Sequence, residues 1–240
     1  MIDGAHSVGQ QSADELDVGN MGCDYFTSNV HKWAYAPKGC GILWTAKKHQ
    51  ANLHPVVTSH FWREEYTKRF FLQGTKDDTA YICTVHSMDW MNAIGMQRIQ
   101  GYIRELANWA ETYVSQQFHT ENDRLFPSHM AAPNMKVVKL PFVSPAVYEY
   151  KFDNNPRKLT IEHIHSESLE WVHTALLELC DDKRGNPYDL VTALLYTKHD
   201  MALWTRLSIN IYNTKDDYVK LVEVFQRYAK DLNQSKLKIR

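Results

Sequence analysis

The 240-residue sequence contains no apolar run of about eighteen residues, the length a helix needs to cross a bilayer, so no spanning segment is expected. It also lacks charge of one dominant sign. Lys and Arg number 27 against 28 Asp and Glu, and no block of like charge occurs. That balance leaves no electrostatic footprint for nucleic acid or an anionic membrane, and a small-molecule or protein partner is the expectation. Cysteine is scarce. Cys23, Cys40, Cys83 and Cys180 are widely spaced and form no C-x-x-C pair, which argues against a zinc ribbon or a disulfide framework and for a reducing, cytoplasmic setting. His49, His54 and His60 lie close together, yet no H-E-x-x-H pattern accompanies them and no metal is expected. Met1 is followed at once by Ile2-Asp3-Gly4 with no cap or targeting pattern, so the chain reads as one that begins mid-fold. At 44% hydrophobic and 23% charged residues, the composition is that of a globular protein with a core, not a disordered one.

Turn signals alternate with short apolar stretches from Asp3 to Gly41, including Asp24-Tyr25-Phe26-Thr27, and Ile42 to Thr45 reads as an apolar strand released by the Pro37-Lys38-Gly39 turn. This is an α/β pattern. Ile99, Ile103, Leu106 and Ala110 recur at helical spacing, which predicts a long helix capped by Asp77, Asp78 and Thr79, with a break at Gly95, running to Gln117. Met135 to Leu140 reads as a strand and Asp153 to Arg157 as a loop. Ile161, Ile164, Ser168, Val172, Ala175 and Leu179 share one helical face. Leu190 to Tyr196 and Leu203 to Ile211 read as two strands turned by Lys198, His199 and Asp200. Thr214 with Asp217 is a capping box for a last helix carrying Val219, Val222, Phe225, Ala229 and Leu232. Three regions follow: residues 1–78, a connecting helical stretch 79–118, and a smaller α+β region 119–240.

Asp3-Gly4-Ala5-His6 and His31-Lys32-Trp33 place a carboxylate, two imidazoles and an amine on short connections after predicted strands, where α/β sheets bind ligands. Lysine is the side chain that forms imines with carbonyl cofactors. A surface lysine beside a surface histidine is the plain alternative, because lysines are seldom buried without a partner.

The combination Asp3-Gly4-Ala5-His6, His31-Lys32-Trp33 and Pro37-Lys38-Gly39-Cys40-Gly41-Ile42-Leu43 resembles the class V aminotransferases, most closely the isopenicillin N epimerase-like branch. The resemblance implies a pyridoxal-phosphate (PLP) enzyme of fold type I. Residues 1–78 would be the C-terminal part of the PLP-binding large domain, with a mostly parallel but incomplete sheet, followed by the small α+β domain. It implies Lys32 as the catalytic Schiff-base lysine, Asp3 at the pyridinium nitrogen and His6 near the phenolic oxygen, with Asn29 and His31 helping to hold the phosphate. Gly74-Thr75 and Asp77 resemble the G-T-x-D element, in which Thr75 reaches the phosphate bound by the partner subunit, implying a homodimer; a capping turn explains the same letters. Arg206-Leu207-Ser208 resembles the late signature whose arginine clamps the substrate carboxylate, a task suited to the guanidinium fork, and an edge-strand salt bridge is its alternative.

The segment that precedes the D-G-A turn in the family, with its phosphate-binding loop, has no counterpart here. The implied activity is epimerisation or transamination of an amino acid by a truncated or partial chain. The competing expectation is a non-catalytic remnant or incomplete gene product that cannot bind PLP alone. Cysteine desulfurase ranks below both. It needs a nucleophilic cysteine shortly before the arginine, whereas Cys180 lies on a predicted helix with two strands between it and Arg206.

Overall fold

The computed structural model describes residues 1–12, 14–180 and 192–237. The chain divides into two compact units, Met1–Tyr102 and Ile103–Arg240. Among the described residues, no helix is long and apolar enough to cross a membrane.

The first unit is built on a three-stranded sheet of order β1-β2-β3, with β1 spanning Ile2–Asp3, β2 Tyr25–Asn29 and β3 Gly41–Thr45. β1 pairs parallel to β2, and β3 pairs antiparallel to β2 on its other side. Along β2, Phe26 and Ser28 are buried while their neighbours are half-buried, the period-two pattern of a strand with one face in the core. One helical turn, α1 (Val30–Trp33), follows directly and buries Val30 and Trp33. A second turn, α2 (Lys47–Gln50), follows β3. Asp24 ties it down through Lys48 at 2.6 Å and His49 at 3.0 Å. These two hydrogen-bonded partners hold the Asp24 carboxyl below the usual carboxylate range. The stretch beyond α2 is gathered by Arg69, whose guanidinium donates to the carbonyls of Gln50 at 3.2 Å and Ala51 at 2.9 Å.

The helical stretch expected over 79–118 is two helices, α3 (Thr79–Ile94) and α4 (Met96–Phe118). Gly95 separates them with φ +103°, a backbone conformation that side-chain-bearing residues rarely adopt. The caps expected of Asp77 and Asp78 divide differently. Asp77 accepts the Thr79 N–H at 2.8 Å, and the Thr79 hydroxyl and N–H hold its carboxyl below the usual range. Asp78, at the N-cap position, makes no side-chain cap and pairs instead with Lys76 at 3.1 Å. α4 buries Ile99, Ile103, Leu106, Ala107, Ala110, Val114 and Phe118, the amphipathic stripe its spacing predicts.

The second unit contains an antiparallel sheet of order β4-β6-β5: β4 is Met135–Lys139, β5 Ala193–Thr197 and β6 Ala202–Ser208. β6 is central and buried from Ala202 to Thr205 and at Leu207. Leu190 and Val191, where the sequence starts β5, lie outside the described residues. The unit also carries α4 from Ile103 on, α5 (Pro145–Phe152), α6 (Ile161–Cys180) and α7 (Lys215–Leu237). α6 buries Ile164, Ser168, Val172, Ala175 and Leu179 as its period requires. α5 is absent from the sequence expectation. Its start is fixed by Pro145 and by Ser144, whose hydroxyl accepts the Val147 N–H at 3.4 Å and meets the Ser168 hydroxyl at 2.6 Å. On α7 the buried residues are Tyr218, Leu221, Val222, Val224, Phe225 and Tyr228. Of the apolar positions expected on this helix, Val222 and Phe225 are buried and Val219 and Ala229 are half-buried. Thr214 donates its N–H to Asp217 at 2.8 Å, one half of the expected capping box.

Candidate active site

The parallel pairing of β1 and β2 brings the carboxyl ends of both strands side by side, with Asp3 opposite Thr27. The connection after each strand carries chemistry-bearing residues, the arrangement by which open α/β sheets form ligand sites. After β1 the chain turns at once. Gly4 donates its N–H to the Thr27 carbonyl at 2.8 Å, and the Ser7 N–H returns to the Gly4 carbonyl at 2.8 Å. A Cβ at Gly4 would overlap the Phe26 ring, so only glycine lets the turn sit this close to β2. Asp3 is exposed and its Oδ1 accepts the Ala5 N–H at 3.0 Å, which orients the carboxylate along the turn. Gly9, with φ +87°, packs on the Trp33 carbonyl in space that a Cβ would fill.

After β2, α1 turns Lys32 back toward this loop. Lys32 Nζ lies 3.2 Å from His6 Nε2, and the Trp33 indole N–H donates to His6 Nδ1 at 3.1 Å. His31 Nδ1 donates to the Cys40 carbonyl at 2.7 Å. The Val30 N–H donates to that same carbonyl at 3.2 Å, which fixes the start of α1. His6 and Lys32, 26 residues apart in sequence, thus share one half-buried cluster. Asn29 stands at the end of β2, half-buried, and its side chain does not cap α1.

Thr75 is exposed on the loop after Gly74 and before α3, and no hydrogen bond joins it to Lys32, His6 or Asp3 among the described residues. Arg206 belongs to the second unit. It sits on β6, paired with Val137 on one side and Ala193 on the other, so the edge-strand alternative does not hold. Its Nε is buried with no hydrogen-bond partner among the described residues, a donor left open for an acceptor. The role of Trp33 was not drawn from the sequence, although the tryptophan directly follows Lys32. Among the described residues, no three His, Cys, Asp or Glu side chains are placed to hold a metal ion.

The donor set suits a PLP-type ligand: an amine able to form an imine, a carboxylate for a ring nitrogen and imidazoles beside the amine. His31 has one limit. With Nδ1 donating to Cys40, its Nε2 offers a donor to a phosphate only in the doubly protonated ring.

The chain is similar to known proteins in fold and in sequence. The solved structures similar to the chain include the cysteine desulfurase of Thermococcus onnurineus NA1, with a TM-score of 0.63 at 17% identity over 96% of this chain and 52% of that one. They also include the cysteine desulfurase CsdA of Escherichia coli, with a TM-score of 0.59 at 16% identity over 96% of this chain and 51% of that one. The likeness is one of fold, fold type I. Among characterised sequences, isopenicillin N epimerase of Streptomyces clavuligerus is 26% identical over 126 residues, 46% of this chain and 31% of that protein. L-cysteine desulfhydrase of Arabidopsis thaliana is 28% identical over 101 residues, 41% of this chain and 22% of that protein. The chain spans about half the length of the solved structures it matches. A family model for class-V aminotransferases matches residues 1–144, and the chain belongs to that family.

Proposed function

We propose that this chain carries the lysine-bearing part of a PLP-dependent enzyme acting on an amino acid, with Lys32 as the Schiff-base lysine. The observation that carries the reading is the placement of Lys32 Nζ at the carboxyl end of a parallel strand pair, 3.2 Å from His6 and next to the Asp3 turn. Bound there, the cofactor would supply an electron sink for charge developing at the substrate α-carbon. Lys32 would hold the cofactor and, once released by substrate, move the α-proton through Nζ. The Asp3 carboxylate would keep a ring nitrogen protonated by accepting its N–H. Asn29 and His31 would face the phosphate, and Thr75 would serve the phosphate of a partner subunit in a homodimer. Arg206 would take the substrate carboxylate with its paired N–H groups, and its open Nε supports a task for that fork.

The reaction divides by where the proton returns. Return to the opposite face of the α-carbon would give an epimerase, and return elsewhere than that carbon would give an aminotransferase. The similarity to L-cysteine desulfhydrase supports a further reading, loss of a sulfur leaving group from the β-carbon after α-proton removal, which needs no thiol of the enzyme. A desulfurase would need such a thiol. Cys40 is buried with its sulfur 3.2 Å from the Thr84 hydroxyl, and the side chain of Cys180 lies outside the described residues.

Borohydride reduction in excess PLP traps even weakly held cofactor, and peptide mapping should then place the pyridoxyl group on Lys32. A label confined to Lys38 or Lys47 would reject the assignment. With L-cysteine, sulfide release separates β-elimination from exchange of the α-hydrogen alone.

A further inference from the structure

We propose that the second unit binds a small monocarboxylate with an apolar body, in a cavity that Lys136 and Arg124 line. The site is independent of Lys32 and of any cofactor, since every lining residue lies between Asn108 and Val137.

Lys136 occupies a core position. Along β4, Lys136 and Val138 are buried between half-buried neighbours, and Asn134 and Leu140 continue the buried set at either end. An inward strand position normally takes an apolar side chain, and lysine is almost never fully buried without a partner. Lys136 is nevertheless only 8% exposed. Its ion-pair partner is Glu111 Oε2 on α4, at 3.7 Å. That separation balances the charge but lies beyond the reach of a hydrogen bond. Among the described residues the ammonium makes no hydrogen bond, so its three N–H donors are open. A cation held out of water without acceptors is costly, and a ligand that supplies an acceptor recovers that cost as affinity.

The cavity lies among α4, the connection after it and β4, and its volume is about 250 Å³. Small-molecule sites usually measure ~300–1,000 Å³, so the occupant is small. Arg124 lines the same cavity. Its Nη1 makes a 3.5 Å contact with the Asp123 carbonyl, and the rest of the guanidinium fork is open among the described residues. Leu125, Phe126, Met135 and Val137 supply the apolar lining. Two cations stand against the single carboxylate of Glu111, which leaves the lining an excess of positive charge. Its complement is one negative charge on an apolar body. A carboxylate matches both cations, accepting from Lys136 as a point charge and from Arg124 through paired N–H groups. Glu111 beside Lys136 repels a second negative charge, so a dianion fits less well. Arg206 is not in the lining, and the site is therefore separate from the carboxylate clamp proposed above.

Titration of the full chain with isocaproate, followed by two-dimensional ¹H–¹⁵N NMR, tests the proposal. Saturable shifts should appear at the amides of Leu125, Phe126, Lys136 and Val137. The uncharged amide of the same acid should bind at least about tenfold more weakly, because the charge-assisted hydrogen bonds are lost. Lys136→Met keeps an unbranched apolar stem and should weaken isocaproate binding at least about tenfold, and Arg124→Gln, at an exposed position, about threefold. Absence of saturation by about 10 mM isocaproate overturns the proposal. Equal affinity for the uncharged amide also overturns it, as does unchanged binding by a folded Lys136→Met chain. Should Lys136→Met not fold, Arg124→Gln and the amide comparison decide, and unchanged binding in either counts against the site. Sodium sulfate that shifts the same amides with equal affinity would reduce the cavity to a plain anion patch and overturn the ligand class.

Discussion

The two units close their sheets differently. In the second, the central strand β6 is buried from Ala202 to Thr205, and α5, α6 and α7 each bury an apolar face. In the first, the sheet leaves Ile42 and Leu43 of β3 at 41% and 46% exposure. α3 there buries only Met91, while Tyr81, Ile82, Val85 and Trp90 are exposed. The difference separates two uses of apolar residues. The second unit buries the larger share of them, with Phe152 and Ile161 among those left exposed, and the first presents more of them outward while keeping a small, tightly determined centre around Gly4, Phe26 and Trp33.

The strongest challenge to the contrast is truncation in each centre. Trp204 in β6 is 2% exposed and its indole donates to the Thr197 hydroxyl at 3.0 Å, so Trp204→Ala should cost about 3–5 kcal/mol. Ile42→Ala in β3 should change stability by less than about 0.5 kcal/mol. Chemical denaturation followed by amide exchange in each unit measures both, and equal losses would abolish the distinction.

Next in size is Gly4→Ala. The added methyl meets the Phe26 ring, and relieving that overlap should cost about 1–3 kcal/mol and move the turn that carries His6. Loss of the His6–Trp33 contact in the NMR spectrum, with the exchange protection of the second unit retained, is the expected outcome.

The smallest effect is acid dependence at Asp24. Hydrogen bonds from Lys48 and His49 lower its folded pKa, so the stabilisation is present above the unfolded value of about 3.9 and is lost as pH falls through the folded value. The group is solvent-exposed, and Asp24→Asn should therefore flatten only a shallow acid slope in the exchange protection of α2. An unchanged slope would show that the Asp24 contacts contribute nothing to the first unit.

Period and turn chemistry made much of this fold legible in the sequence. The Gly95 break, the buried face of α6 and the hairpin of β5 and β6 all follow from short-range spacing. α5 does not, since Tyr148, Tyr150 and Phe152 are exposed and its start depends on a Ser144–Ser168 contact 24 residues long. At the site, the motif residues His6 and Lys32 meet, while the direction of the Trp33 indole depends on side-chain torsions that no spacing encodes. Arg206 was weighed as an edge residue, but strand order places β6 in the middle, and order within a sheet is a long-range property.

The hairpin at residues 198–201 has an effect that reaches beyond its own geometry. Thr197 and Ala202 face each other across it, and from that pairing the register runs down to Ala193 opposite Arg206. Successive strand residues point to opposite faces, with Thr205 and Leu207 buried on one and Arg206 and Ser208 on the other. Adding or deleting one residue in this turn would slip the ladder by one step and exchange the two faces. Arg206 would then point where Leu207 now packs. Turn length is thus a hidden determinant of which way the guanidinium looks, and a reading frame that keeps every site residue can still lose the arginine through an indel five to eight residues upstream.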